Sequence, residues 1–279
     1  MSYTTLRVEV KDHIAQVVLN RPDKLNAMNR EFWLEFPTAL RAIDEEASAR
    51  VVVISGEGRL FSAGMDLSVF MSPSKKLTSG DPGRRSENLR RTVLQLQDSF
   101  NALEQIRIPV LVAVHGGCIG AGINLISACD CRYATEDAYF CIKETELGMT
   151  ADVGVLQRLP KLIPEGLVRE MAYTARKLPA SEALRSGLVN AVYPDKETLL
   201  REVMDIAQQI TRHSPLAVAG SKEMINFARD HSVADSLKYM AAWQGGMFQP
   251  GEMMKSFQAK MQKSEPDYDD LWPVEAPFS

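Results

Sequence analysis

Residues Val110–Gly154 read VLVAVHGGCIGAGINLISACDCRYATEDAYFCIKETELGMTADVG, and the rest of the chain is arranged around them. Val110–Val114 is an apolar run long enough for a buried strand and too short for a helix. His115, Gly116 and Gly117 break it; His115 fits a structural hydrogen-bonding role at a strand end better than that of a base. Gly120 and Gly122 flank Ala121, so backbone can approach a ligand closely there. A helix that begins at Ala121 leaves its first N–H groups without partners inside the helix, and such a turn suits a developing negative charge.

Two carboxylates follow. Glu144 and Asp152 lie eight residues apart in what reads as loop after a short strand, and Asp152 precedes the helical run Val153–Arg158. A backbone anion site followed by two acids is the minimum equipment for proton transfer next to a carbonyl. Each part also has a plainer reading: the glycines as a turn, Asp152 as the N-cap of the helix behind it, Glu144 as a solvated loop residue.

Two further stretches give this segment context. Together with Leu19–Met28 (LNRPDKLNAM) and Phe61–Asp66 (FSAGMD), it resembles the crotonase, or enoyl-CoA hydratase/isomerase, superfamily, from about residue 5 to about residue 265. Lys143-Glu144, then Ala151–Gly154 and Leu156–Pro160 (LQRLP), resemble its Δ3,5-Δ2,4-dienoyl-CoA isomerase branch. The resemblance implies a spiral of ββα turns that binds an acyl-CoA thioester. The backbone N–H groups of Met65 and Ala121 then form an oxyanion hole. The Ala63 carbonyl receives the adenine amino group, and Lys24 and Asp66 complete the CoA site. Lys222 is a further candidate for a CoA phosphate. CoA enters as part of the substrate, with no separate cofactor and no metal.

The resemblance also assigns the acids. Hydratases of the superfamily carry acids at the positions of residues 124 and 144. Dienoyl isomerases carry Asp, Glu and Asp at those of 124, 144 and 152. This chain has Asn124, Glu144 and Asp152, and an amide cannot exchange a proton at neutral pH. The departure counts strongly against a hydratase and less against an isomerase, where Asn124 joins the catalytic group as a supporting residue. The implied reaction converts 3,5-dienoyl-CoA to 2,4-dienoyl-CoA in fatty-acid β-oxidation, with Glu144 at C2 and Asp152 at C6. The alternatives are an enoyl-CoA hydratase or Δ3-Δ2 enoyl-CoA isomerase that uses Glu144 without Asp152, and a non-catalytic acyl-CoA-binding protein.

With 279 residues and a net charge of −4, the chain can bury a full core and has no basic excess for nucleic acid. No run is long enough to span a bilayer, the N-terminus leads directly into a strand pattern, and the C-terminus lacks a Ser-Lys-Leu address, so a cytoplasmic location is expected. Cys118, Cys129, Cys131 and Cys141 have apolar neighbours and no zinc spacing, and read as reduced and structural.

The α/β reading comes from strands alternating with helices. Leu6–Val10 and Ile14–Leu19 form a hairpin, Val51–Ile54 a buried strand, and Asn29 caps a helix to about Ala47 in which Pro37 predicts a kink or a break. Met71–Glu87 reads as a loop or lid, before a helix marked by Val93, Leu96, Phe100 and Leu103. After Pro160 the chain turns helical, interrupted by a strand at Leu188–Tyr193. We divide it into a spiral core, 1–194, and a C-terminal helical region, 195–279. By resemblance that region assembles a homotrimer or homohexamer. Its apolar stripe of Met240, Trp243, Met247, Phe248, Met253, Met254 and Phe257 fits either core or interface.

Overall fold

The computed structural model describes residues 3–71 and 80–275. Strands β1 (Leu6–Lys11) and β2 (Ile14–Leu19) form the expected antiparallel hairpin, with Leu6 opposite Leu19. β3 (Val51–Gly56) lies parallel to β2, and β4 (Val110–Val114) parallel to β3. β5 (Gly117–Ile119) leaves this sheet, whereas β6 (Cys131–Thr135) returns to it beside β4. β7 (Tyr139–Cys141) and β8 (Leu178–Pro179) join β5 in a three-stranded second sheet. β9 (Ala191–Tyr193) closes the main sheet, whose order is β1-β2-β3-β4-β6-β9. Twice, at β4-β5 and at β6-β7, the chain gives one strand to the main sheet and the next to the second sheet before turning helical.

Both faces of the main sheet are covered, so its central strands are apolar throughout rather than alternating. Val52 and Ile54 point to the face packed by α1 (Arg30–Glu45) and α3 (Pro82–Gln105), through Phe32, Phe36, Leu40, Phe100 and Leu103. Between these two helices lies the short α2 (Ser68–Met71). Val51 and Val53, the alternate residues, meet Leu199, Val203 and Ala207 of α8 (Lys196–Thr211) on the other face. The helical region expected from residue 195 thus opens with a helix that completes the core.

Other expectations change. α1 runs unbroken through Pro37, which is buried on its packed face, and Asn29 caps it by accepting from Phe32 N. Burying Phe32, Phe36 and Leu40 outweighs the single backbone bond that proline removes. The stretch read as loop to Glu87 becomes α3 from Pro82 onward, capped by the Asp81 side chain. The rest of that expected lid, 72–79, lies outside the described residues. The strand expected at Leu188–Tyr193 shortens to Ala191–Tyr193, since Leu188 and Val189 are tucked under α7 (Ala180–Ser186), the helix after α6 (Glu165–Thr174), by bonds to Ala183 O.

α9 (Pro215–Ala228), α10 (Val233–Met247) and α11 (Pro250–Gln262) continue the expected helical region. Among the described residues, no helix is long and apolar enough to cross a membrane.

Candidate active site

The two glycine-containing turns meet. Ser62 pairs with Cys118 and Met28 with Met65, each as an isolated bridge. The first motif ties this junction together: the buried Asn26 donates to the carbonyls of Glu57, Leu60 and Phe61. Ser62 Oγ donates to Asn26 O and accepts from Gly64 N. Gly64 has φ +91°, and a Cβ on it would stand 2.7 Å from Ile119 O and 3.2 Å from Ala121 N. Only glycine lets the two turns come so close.

Ala121 begins α4 (Ala121–Ser127). Among the described residues, neither its N–H nor that of Met65 is taken by a protein acceptor. Gly64, the neighbour of Met65, lies against Ala121 N, so both backbone donors face one region at the start of a helix.

A cavity of about 510 Å³ opens over this pair, lined by Met65, Ala121, Glu144 and Asp152 together with Lys24, Ala63 and Asp66. Leu67, Ile119, Leu147, Met149 and Val153 add an apolar wall. Glu144 opens a turn of 3-10 helix, Glu144–Leu147, separated from the end of β7 by two residues. Burial raises its pKa above the ordinary carboxylate range, and the charge of Asp152 adds to the rise. A hydrogen bond from Asn124 Nδ2 to Oε1, 3.0 Å, works the other way by favouring the ionised form. Oε2 is buried and has no partner among the described residues.

Asp152 is half-buried, and burial raises its pKa too. No side chain donates to its carboxylate among the described residues. It is not the cap of α5 (Val155–Arg158): Gly154 holds that position, and the side chain that accepts from the helix's first N–H is that of Asn124.

Three expectations are corrected. Asn124, grouped with the catalytic residues, is fully buried and forms no part of the cavity wall. It donates to Gly120 O and Glu144 Oε1 and accepts from Val155 N at 2.7 Å, so it stands behind both acids and ties them together. Lys222 cannot reach a CoA phosphate: it is buried, donates to Leu103 O and Ile108 O, and pairs with Asp130 at 3.1 Å. Asp66 does line the cavity, but its carboxylate is committed to Arg21 Nη1 at 3.0 Å and Ser68 N at 3.1 Å. It holds the turn that carries Met65. Lys24 is exposed at the rim, and His115 is a buried strand-end residue bonded to Gly58 O.

Sequence reading missed Gln97, which donates from α3 to the carbonyl of Asp152 at 2.7 Å across 55 residues of chain. No local signal marks such a contact.

The family described as Enoyl-CoA hydratase/isomerase matches residues 9–271. The Delta(3,5)-Delta(2,4)-dienoyl-CoA isomerase, mitochondrial, of Homo sapiens is 47% identical over 266 residues, covering 95% of this chain and 81% of its own length. The Delta(3,5)-Delta(2,4)-dienoyl-CoA isomerase, peroxisomal, of Arabidopsis thaliana is 41% identical over 274 residues, covering 97% and 99%. Among solved structures, the enoyl-CoA hydratase of Bacillus anthracis superposes with a TM-score of 0.85 at 30% identity, over 98% of this chain and 100% of the other. With the ββα spiral, the paired turns and this match over nearly the whole length, the chain belongs to the enoyl-CoA hydratase/isomerase family.

Proposed function

We propose that the chain isomerises 3,5-dienoyl-CoA to 2,4-dienoyl-CoA, the reaction for which its relatives in Homo sapiens and Arabidopsis thaliana are named. One observation carries the reading: both acids share a cavity with the two free backbone donors, and only one acid, Glu144, is hydrogen-bonded by a side chain that favours its ionised form. Glu144 is therefore the base and Asp152 the proton donor. The thioester oxygen sits between the N–H groups of Met65 and Ala121. Glu144 takes a proton from C2, and the electron pair spreads into the thioester and along the diene. Asp152 delivers a proton to C6, the double bonds move to C2 and C4, and solvent restores both acids. The oxyanion donors supply about 10² to 10³ in rate each.

Asn124 gives a hydratase no second acid, so hydration of a 2-enoyl-CoA is expected to be slow. The Ala63 carbonyl, Lys24 and the Asp66 turn form the CoA side of the cavity in this reading. The decisive test follows the conjugated 2,4-dienoyl thioester by absorbance and exchange of the C2 hydrogen with deuterated solvent. Asp152→Asn is expected to keep C2 exchange and lose the 2,4-diene, whereas Glu144→Gln loses both. Unchanged diene formation by Asp152→Asn overturns the assignment.

The C-terminal helices support a homotrimer or homohexamer. Val233, Leu237, Met253, Met254, Phe257 and Met261 are large apolar side chains exposed on α10 and α11. Sedimentation equilibrium is expected to give three or six chains, and Phe257→Glu to lower that number. The cytoplasmic location read from the sequence stands against relatives named mitochondrial and peroxisomal, and cell fractionation decides between them.

A further inference from the structure

Gln97, Asn101 and Glu104 lie four and three residues apart on α3, so they form one polar stripe down a single face of the helix. The stripe is aimed at the loop that carries Asp152. Gln97 Nε2 donates to Asp152 O at 2.7 Å. Asn101 Oδ1 and Glu104 Oε2 accept from Arg158 Nη2 at 2.6 and 2.7 Å, and Glu104 Oε2 also accepts from Nε at 3.0 Å. The guanidinium so held lies against Gly154, where φ is +118° and any side chain would overlap it. Glu104 Oε1 is in turn paired with Arg229, just beyond α9, at 2.6 Å. From the opposite side, Asn124 Oδ1 accepts from Val155 N at 2.7 Å.

The segment 152–155 is thus gripped through its backbone on both sides, leaving the Asp152 carboxylate without a side-chain donor. The short helix behind it could not fix its place alone: α5 spans only Val155–Arg158, and its N-cap, Gly154, has no side chain to hold it. We propose that Gln97 and Arg158 are positioning residues for Asp152, holding its carboxyl at the C6 end of the substrate without touching the substrate themselves. This inference rests on the reading of Asp152 as the C6 acid.

The test uses Gln97→Met, which keeps length but removes the donor, and Gln97→Lys, which keeps a donor. Arg158→Met serves as a second, independent variant. For Gln97→Met and Arg158→Met, 2,4-diene formation is expected to fall by about 10²-fold, the cost of misplacing a reacting group by about 1 Å. C2 exchange and KM are retained because Glu144 and the oxyanion donors are untouched. Hydrogen exchange at the amides of Asp152–Val155 is expected to accelerate in the same variants, and Gln97→Lys to recover most of the rate. Loss of C2 exchange together with diene formation, or unchanged amide exchange at 152–155, overturns the proposal.

Asp152→Asn is measured in parallel. If it abolishes the 2,4-diene while Gln97→Met leaves diene formation intact, only the positioning role falls. If Asp152→Asn itself retains diene formation, the acid assignment falls and this proposal with it.

Discussion

At the scale of single residues, Asn124 explains how two acids whose pKa values are both raised by burial take different tasks. Its amide stabilises a negative charge on Glu144 and offers nothing to the Asp152 carboxylate. The burial that tunes Glu144 also costs stability. Because its pKa is raised in the folded chain, its contribution to stability is complete below the unfolded pKa and is lost as pH rises through the folded pKa. Above that pKa the folded protein carries an ionised, part-buried carboxylate with one oxygen unpartnered. Glu144→Gln removes that charge while keeping the shape. Its Tm by calorimetry is expected to exceed that of the unmodified protein near neutral pH, the gap closing as pH falls to about 4, where both carry a neutral side chain. A Tm difference that does not change with pH would show that burial does not burden Glu144.

Among the elements, the paired turns are the most demanding. Gly64→Ala adds a Cβ at a positive φ and pushes it onto the carbonyl of Ile119, which is backbone and cannot swing away. Backbone strain alone costs about 1 to 3 kcal/mol. The turns must part, so kcat is expected to fall by about 10²-fold or more as the oxyanion donors separate. Wild-type kcat in Gly64→Ala would mean that the two donors do not act together. Helix α3 illustrates the opposite case, an element that sequence periodicity underestimates. Its first turns are mostly exposed and carry no apolar stripe; they are held by the Asp81 cap and by Glu87 paired with Arg90 and Arg91. Apolar spacing first appears near Val93, where the helix reaches the core, so the expected start was too late. The signal that marked the true start was Asp81-Pro82, a cap followed by a proline at the first helical position.

For the whole molecule, Lys222 joins the C-terminal helices to the central strand. Its ammonium binds the carbonyls at the end of α3 and before β4, and Asp130, which itself accepts from Val110 N at 2.7 Å. Breaking a buried pair by removing one partner costs about 3 to 5 kcal/mol. Lys222→Met is expected to lower stability in urea by that order while leaving the KM for the CoA thioester unchanged. A raised KM without loss of stability would restore Lys222 to the CoA site.

The sequence by itself determined the strands β1 to β4, the helix at Ala121, the pair Glu144 and Asp152, and the two turns bearing Met65 and Ala121. The strands and the helix start rest on local chemistry, apolar runs and glycines at turns; the choice of the two acids and of the Met65 turn rests on the resemblance to the family. Tertiary structure decided the rest. The two- and three-residue strands of the second sheet are too short to carry a pattern, and exist because neighbouring turns of the spiral pair their backbones. Asn124 moved from the catalytic group to the space behind it, and Lys222 from surface to core, because burial and partners depend on which distant segments fold against them. Gln97 meets Asp152 only because α3 packs beside the loop, a contact between residues 55 apart in the chain that no periodicity encodes.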